Sequence, residues 1–268
     1  MSNSILFSLS ALLALVPAAL LPWRGGGVER DWPYWILLAV AVVGPSGWAL
    51  ALLSAEWTTN LSTALWVSIA ASLVLFAGVA LLSATAWRLG TLLLPYLVVL
   101  GAIATIWQHA PGRPLSGAAP AAWLDGHILV SVATYAVLTL AAVAALAVFI
   151  QERALKLKQP GRLTAMLPAI AESEALQVRL LIAGEVVLAL GLATGVALQY
   201  FKTGRFLVLD HKTLLSVLAF VLIGALLWAH ARTGLRGRRA ARLALLAYLL
   251  LTLAYPGVKF VTDVLMGR

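Results

Sequence analysis

Eight long apolar stretches dominate the sequence, and they restrict the possible folds more than any other feature. They cover approximately residues 4–22, 33–53, 61–83, 89–106, 127–150, 178–199, 212–231 and 241–263. Each is close to the roughly 20 residues that a helix needs to cross a bilayer. Because 62% of the residues are hydrophobic and only 11% are charged, a soluble globular enzyme, a disordered chain and a coiled coil are excluded. The runs are continuous rather than alternating, which also argues against a membrane β-barrel.

We therefore predict an all-α polytopic membrane protein, a bundle of about eight transmembrane helices that form a single domain over residues 1–268. The run Gly44-Pro45-Ser46-Gly47 is expected to kink or break the second helix, and Pro17, Pro95 and Pro256 are milder features of the same kind. The polar connection 151–177 is predicted to be a helical extension, a turn and a short surface segment. The Pro-containing loop 107–126 is predicted to be irregular and to lie over one membrane face.

The positive charges predict the orientation of the chain. Thirteen of the nineteen Lys and Arg residues follow stretches one, three, five and seven: Arg24, Arg30, Arg88, Arg153, Lys156, Lys158, Arg162, Arg179, Arg232, Arg236, Arg238, Arg239 and Arg242. By the positive-inside rule these loops are cytoplasmic. We expect a multi-pass protein of the bacterial inner (cytoplasmic) membrane with both termini outside. Since topology accounts for the net charge of +9, nucleic acid is not an expected partner, whereas the lipid bilayer is.

Two of the four histidines occupy similar sequence positions. His127 and His211 each follow an aspartate, Asp125 or Asp210, that can cap a helix, and each opens a helix that starts on the outer side. The positive end of a helix disfavours imidazolium, and neutral imidazole is the form that binds a metal. The sequence has no cysteine, which excludes thiolate metal sites and covalent haem attachment.

A facing pair of histidines could hold a haem iron from both sides, whereas a closed zinc site usually needs four ligands. The alternative is that His127 and His211 are interfacial residues hydrogen-bonded to loop backbone. Ser131 and Thr134 lie on the same helix face as His127, where close helix packing is the commoner explanation of small residues. Gly184, Gly191 and Gly195 are interpreted first as sites of close helix approach and second as room for a flat ligand.

The other candidates are weaker. His230 lies 19 residues after His211, roughly 28 Å along a helix, so it belongs to the cytoplasmic end, either as a hydrogen-bonded residue or as the ligand of a second, inner haem. His109 lies in the outer loop. Glu185 lies within the sixth stretch, where a carboxylate is either functional or paired with a cation or hydroxyl.

The chain from Trp123 onward resembles the haem-handling cytochrome c assembly protein family. The resemblance is carried by Asp210-His211-Lys212-Thr213, by Leu227-Trp228-Ala229-His230, by the basic loop Gly234-Leu235-Arg236-Gly237-Arg238-Arg239, and by Gly126-His127 with the helix that follows it to Gln151-Glu152-Arg153. It is strongest over residues 123–263. The eight-span size is similar to the HemX/YpjD-like branch rather than to the larger synthases.

The resemblance implies a membrane protein that holds or passes on non-covalent haem b near the outer face, with His127 as axial ligand. It also implies other cytochrome c assembly proteins or an apocytochrome as partners. The sequence itself contains no set of residues suited to bond-making chemistry, so no enzymatic activity of the chain's own is expected. The Trp-rich outer loop of the synthases is replaced by residues 199–210, which contain no Trp, and the outer histidine expected near Tyr255–Lys259 is absent. His211 as second ligand follows from topology, not from the family. The alternatives are a regulatory or scaffold protein linked to tetrapyrrole metabolism, and a small-solute transporter.

Overall fold

The computed structural model describes residues 2–24, 30–54, 60–110, 112, 120–204 and 210–266. It confirms an all-α protein with eight helices long and apolar enough to cross a membrane. The helices are α1 (Ser2–Leu20), α2 (Trp32–Ser54), α3 (Leu61–Leu82), α4 (Gly90–Ile106), α5 (Ala121–Leu157), the short α6 (Arg162–Met166), α7 (Ile170–Thr203), α8 (His211–Thr233) and α9 (Gly237–Thr252). Short 3₁₀ helices, Leu21–Trp23 and Ala86–Leu89, follow α1 and precede α4.

The eight long helices form two groups of four. In the first group α1 contacts α2 and α4, and α3 contacts the same two helices, so the four form a ring. In the second group α5 contacts α7 and α9, and α8 contacts the same two helices. Helices α5 and α8 therefore lie at opposite corners of the second ring. The groups meet where α3 and α4 pack on α5.

Helix α5 is the centre of the molecule. It is the most buried of the eight candidate spans, and its buried side chains, such as Leu140, Ala144 and Val148, belong to one apolar core that continues into both groups. Its length follows from its composition, because Ala and Leu are strong helix formers and dominate its interior. The helix is long enough to extend beyond a bilayer at the end where Gln151 begins the polar connection.

A hydrogen-bonded group of side chains joins the two groups inside the apolar core. The hydroxyl of Tyr96 in α4 lies 2.7 Å from the hydroxyl of Tyr248 in α9 and 3.3 Å from that of Tyr135 in α5. Thr139 of α5 lies 2.9 Å from the Tyr248 hydroxyl. Buried hydroxyls are costly unless they have hydrogen-bond partners. This group, Tyr96, Tyr135, Thr139 and Tyr248, is called the tyrosine cluster below.

The positively charged loops gather at one end of the bundle, as the charge map predicts. Arg162 of α6 donates to the carbonyl oxygens of Trp23 and Arg24 at 2.7 and 2.9 Å, and Arg30 donates to the Ala80 carbonyl oxygen at 2.9 Å. We call the end where these positively charged loops lie the basic end. The other end, where α1 and α8 begin, is called the opposite end. The predicted helical extension, turn and surface segment are present as the end of α5, a turn at Lys158 and the short helix α6. Helix α7 already begins at Ile170, so the connection is shorter than the predicted 151–177.

Two carboxylates cap the start of α9 at the basic end. Glu174 of α7 accepts a hydrogen bond from the Gly237 backbone N–H at 2.5 Å, and Glu152 of α5 accepts one from the Arg238 N–H at 2.8 Å. The first N–H groups of a helix have no partner within the helix, and carboxylates at this end are stabilised by its partial positive charge. Helices α5, α7 and α9 are thereby joined.

The second helix does not break at Gly44-Pro45-Ser46-Gly47, where a kink or a break was expected. Helix α2 runs unbroken through Gly44 and Pro45. Gly44 instead allows close approach of α1, because a Cβ on Gly44 would lie 2.6 Å from the Cβ of Ala14. The irregular helix is the last one, where π-helical segments cover Leu253–Gly257 and Phe260–Leu265. Pro256 has no N–H to donate, so the α-helical hydrogen-bond pattern cannot continue through it.

Candidate functional site

His127 does not lie at the start of its helix, contrary to the prediction from Asp125. Helix α5 begins at Ala121, with Pro120 at the N-cap position and Asp125 inside the helix. The fixed φ of proline and the high helix propensity of Ala121 and Ala122 explain the earlier start. His127 therefore lies in the second turn, where the helix dipole has less effect on its ring.

A hydrogen bond to α7 orients the His127 ring. Its Nδ1 atom lies 2.9 Å from the hydroxyl oxygen of Thr194. The Thr194 hydroxyl has one proton, which it donates to the backbone carbonyls of Leu190 and Gly191 at 2.9 and 3.1 Å. With the Thr194 proton assigned to these carbonyls, Thr194 accepts from His127, and this assignment places the proton on Nδ1 and the lone pair on Nε2. Among the described residues Nε2 has no hydrogen-bond partner, and it is not fully buried.

The small residues of α7 serve close helix packing, as predicted. A Cβ on Gly184 would lie 2.5 Å from Leu138, and a Cβ on Gly191 would lie 3.7 Å from Val130. At the opposite end a Cβ on Gly195 would lie 3.2 Å from Cε1 of His127. The ring of His127 therefore lies against the α7 backbone at a position where a larger residue would push it away.

His211 is the first residue of α8, as predicted from Asp210. The Asp210 carboxylate accepts a hydrogen bond from the Thr213 N–H at 2.8 Å. Burial raises the pKa of Asp210, but hydrogen bonds from Thr213 and the charges of Lys212 and His211 outweigh it, so the pKa lies below its usual value. His211 itself is exposed. Helix α8 lies diagonally across the ring from α5, and no hydrogen bond joins His127 and His211 in the described structure.

A charged group at the opposite end was missed by the sequence reasoning. Lys259 and Asp263 follow one another at i and i+4 in the irregular last helix, with 3.9 Å between Nζ and Oδ2 and side chains only 11% and 9% exposed. Thr262 donates to Oδ1 of Asp263 at 2.9 Å. An i, i+4 Lys–Asp pair within an apolar stretch was the available signal.

His230 lies away from this group. His230 is at the basic end, where its Nδ1 donates to the backbone carbonyl oxygen of Leu235 at 2.9 Å and so supports the turn between α8 and α9. His109 is exposed, in a turn after α4. Part of its loop, residues 111 and 113–119, lies outside the described residues, as do residues 205–209 of the Trp-free loop.

Glu185 faces α8 inside the membrane-spanning part of α7. Its Oε1 would lie 3.0 Å from a Cβ on Gly224. Its Oε2 is buried and has no hydrogen-bond partner among the described residues, so neither the predicted cation nor the predicted hydroxyl lies beside it there. In the described part of the chain, no group of three or more His, Cys, Asp or Glu residues could hold a bare metal ion.

Comparisons with known proteins show what this chain is related to. It is 57% identical over 271 residues to a protein of Azospirillum brasilense described as an uncharacterized 28.8 kDa protein in a nifR3-like 5' region, and the alignment covers 100% of both chains. No solved structure matches. The family model described as cytochrome C assembly protein matches residues 48–266. The match confirms the resemblance, extends it beyond residues 123–263, and covers most of the chain, which therefore belongs to the cytochrome c assembly protein family.

Proposed function

We propose that this protein binds haem b non-covalently at the opposite end of the bundle, and that this end faces outward from a bacterial inner membrane. Membership of the cytochrome c assembly family supports a haem-related role in a membrane. The observation that carries the proposal is the hydrogen bond from His127 Nδ1 to Thr194, which leaves the lone pair of Nε2 available for iron. The outward orientation of the opposite end follows from the positive-inside rule, because the positively charged loops lie at the other end of the bundle.

The imidazole nitrogen that is available at the opposite end is a suitable ligand for a haem iron. A neutral imidazole held through its other nitrogen is a common arrangement of axial histidine ligands. Because no cluster of three metal-binding side chains exists in the described residues, a macrocycle that supplies four nitrogens suits this site better than a bare ion does. Non-covalent binding is required, since the sequence contains no cysteine for thioether attachment.

In this proposal His127 ligates the iron and Thr194 fixes its tautomer and ring orientation. His211 is the proposed second axial ligand, because it is exposed at the start of α8, at the same end of the bundle as His127. Haem, when bound, supplies any redox chemistry, and the protein makes no bond of its own. Haem transfer to an apocytochrome or to another assembly protein would follow from contacts outside this site.

A visible absorption spectrum of the detergent-purified protein tests the proposal. Haem titrated into the apoprotein should give a Soret band with low-spin b-type features and a stoichiometry of one haem for the site at the opposite end. A protein that stays colourless after haem addition would contradict the proposal and support a regulatory or scaffold role, or transport of another solute.

A further inference from the structure

Two arginines near the start of α9 lie against one aromatic ring of α5 at the basic end. The Cζ atom of Arg238 lies 5.3 Å from the centre of the Phe149 ring, and that of Arg242 lies 5.8 Å from the same ring centre. Arg238 is partly buried and Arg242 is exposed. The two guanidinium groups and the ring therefore lie together, and we call these three residues the arginine cluster.

Neither arginine of the cluster has an anionic partner in the described part of the chain. Their side chains form no hydrogen bond and no ion pair within 4 Å there, and Nε of Arg238 is buried without a hydrogen-bond partner. The described carboxylates of the basic end accept hydrogen bonds from backbone N–H groups at helix starts instead: Asp31, Glu152, Glu172 and Glu174. The acidic groups of this end are thus used as helix caps and not as partners of arginine.

The positions of Arg238 and Arg242 are unfavourable without an anion. The two residues are four apart on one helix, where like charges repel each other. Arg238 also lies in the first turn of α9, where the partial positive charge of the helix disfavours a cation. A buried guanidinium nitrogen without a partner is a further cost. The contact with Phe149 orients the two groups but supplies no counter-charge, so the arrangement is better explained as a binding site for an anion.

The arginine cluster lies at the level of the lipid head groups. The last candidate span, Gly237–Leu265, has 29 residues. Its length of roughly 40 Å corresponds to a bilayer together with its head-group regions. Arg242 lies five residues, or about 7.5 Å, inside the start of this span. The first two turns of α9 therefore lie where lipid phosphates are found.

An apolar stripe continues from the cluster along the surface of α9. Leu246, Leu249 and Leu253 follow Arg242 at intervals of four, three and four residues, so they share its helix face. Their side chains are 45%, 51% and 47% exposed. A phospholipid fits such a surface, because its acyl chains extend into the membrane from its phosphate. A soluble phosphate would contact the arginines alone and leave the leucine stripe unexplained.

We propose that the arginine cluster binds the phosphate group of an anionic phospholipid in the leaflet at the basic end, with the acyl chains along the leucine stripe of α9. Guanidinium groups form paired, charge-assisted hydrogen bonds with phosphate oxygens, and Nε of Arg238 gains a partner in this way. An anionic lipid is favoured over a zwitterionic one, because the exposed Arg236 and Arg239, which flank Arg238 in sequence, repel a head-group cation. This inference does not depend on the haem site at the opposite end.

Native mass spectrometry of the full-length protein in detergent tests the inference. The protein is equilibrated with equal amounts of phosphatidylglycerol and phosphatidylcholine that have the same acyl chains, and the lipids retained by each protein molecule are counted. The wild-type protein should retain phosphatidylglycerol about tenfold more than phosphatidylcholine, since two arginines act on its net negative charge. The double variant Arg238→Gln/Arg242→Gln should retain the two lipids almost equally.

A matched double variant separates the cluster from the general charge of the basic end. Arg153→Gln/Lys156→Gln also removes two cations there, both exposed and neither in contact with an aromatic ring in the described structure, and it should keep the lipid preference. If the cluster variant does not fold, the single variants Arg238→Gln and Arg242→Gln give the same comparison, and each should lose part of the preference. Equal losses in the two double variants, or a wild-type protein without a preference, would overturn the inference.

Inorganic phosphate tests whether the ligand is a lipid. Thermal unfolding of the wild-type protein and of Arg238→Gln/Arg242→Gln is followed in detergent at constant ionic strength, with either phosphatidylglycerol or inorganic phosphate added. Phosphatidylglycerol should raise the unfolding temperature of the wild-type protein more than that of the variant, because a ligand stabilises the folded state that binds it. Inorganic phosphate should affect the two proteins equally. A selective effect of inorganic phosphate without one of phosphatidylglycerol would assign the cluster to a soluble phosphate and overturn the lipid assignment.

Discussion

The Nδ1 atom of His127 in α5 lies 2.9 Å from the hydroxyl oxygen of Thr194 in α7. The bond joins the two helices at the end opposite the basic loops, and it fixes which nitrogen of the ring is free. The proposed haem site depends on this relationship more than on any other.

The first prediction concerns Thr194. Thr194→Val keeps the shape of the side chain and removes the acceptor for Nδ1, so the ring loses its fixed tautomer. Loss of such a supporting contact costs about 10- to 100-fold in metal affinity, and we expect haem affinity to fall in that range. Absorbance titration measures it. Thr233→Val is the matched control, because Thr233 also bonds to a backbone carbonyl, that of Ala229, but it lies at the basic end and makes no hydrogen bond to a histidine side chain in the described structure. Equal effects of the two variants would remove Thr194 from the site.

The second prediction concerns the axial pair. His127→Ala and His211→Ala should each convert a low-spin spectrum to a high-spin one or lose haem, and the double variant should be free of haem. His109→Ala should have little effect, since it lies in an exposed turn. The spectra of all four purified variants test the assignment. A normal low-spin spectrum in His211→Ala with haem loss in His109→Ala would move the second ligand to the loop after α4.

The third prediction concerns His230. Because its Nδ1 donates to the Leu235 carbonyl, His230→Ala should lower the free energy of unfolding by about 1 kcal/mol. The spectrum of haem at the opposite end should not change. The haem-to-protein ratio is the deciding measurement, since a lower ratio with an unchanged spectrum would show a second haem at the basic end.

The fourth prediction concerns Gly237. Its φ is +65°, and a Cβ there would collide with the Glu152 carboxylate. Gly237→Ala should therefore strain the backbone and displace one of the two caps of α9, lowering the free energy of unfolding by about 2 kcal/mol or more. Thermal unfolding in detergent measures the loss. Gly161→Ala, with open space around the added methyl group, should be nearly neutral. A Gly237→Ala protein as stable as the control would refute the role of the carboxylate cap.

The fifth prediction concerns orientation. The sequence contains no cysteine, so single cysteines can be labelled without background. Gln159→Cys at the basic end should be protected from a membrane-impermeant maleimide in intact cells, and Ala122→Cys at the opposite end should react. Both positions are exposed, so the extents of maleimide labelling at the two cysteines can be compared directly. The reverse pattern would put the basic end outside and reject the proposed location.

The fold was predictable because a bilayer imposes a length and an apolar composition on each helix. The start of α5 was not predictable in this way, because Pro120 and the alanines after it begin the helix before the apolar stretch. The hydrogen bond between His127 and Thr194 was also hidden, because it depends on which helices pack together. For the same reason the partners of Glu152 and Glu174 could not be read from sequence, since they lie more than sixty residues away.

The tyrosine cluster bears on how such a protein can move. Alternating access by rocking the first four helices against the last four would pull Tyr96 away from Tyr135 and Tyr248, separated from it by 3.3 and 2.7 Å. Each hydroxyl left unpaired in the apolar core would cost about 1–3 kcal/mol. The cluster thus works against rigid-body rocking of the two groups. A ligand at the opposite end would then exchange by local opening between α5, α8 and the last helix, with the rest of the bundle as a fixed frame.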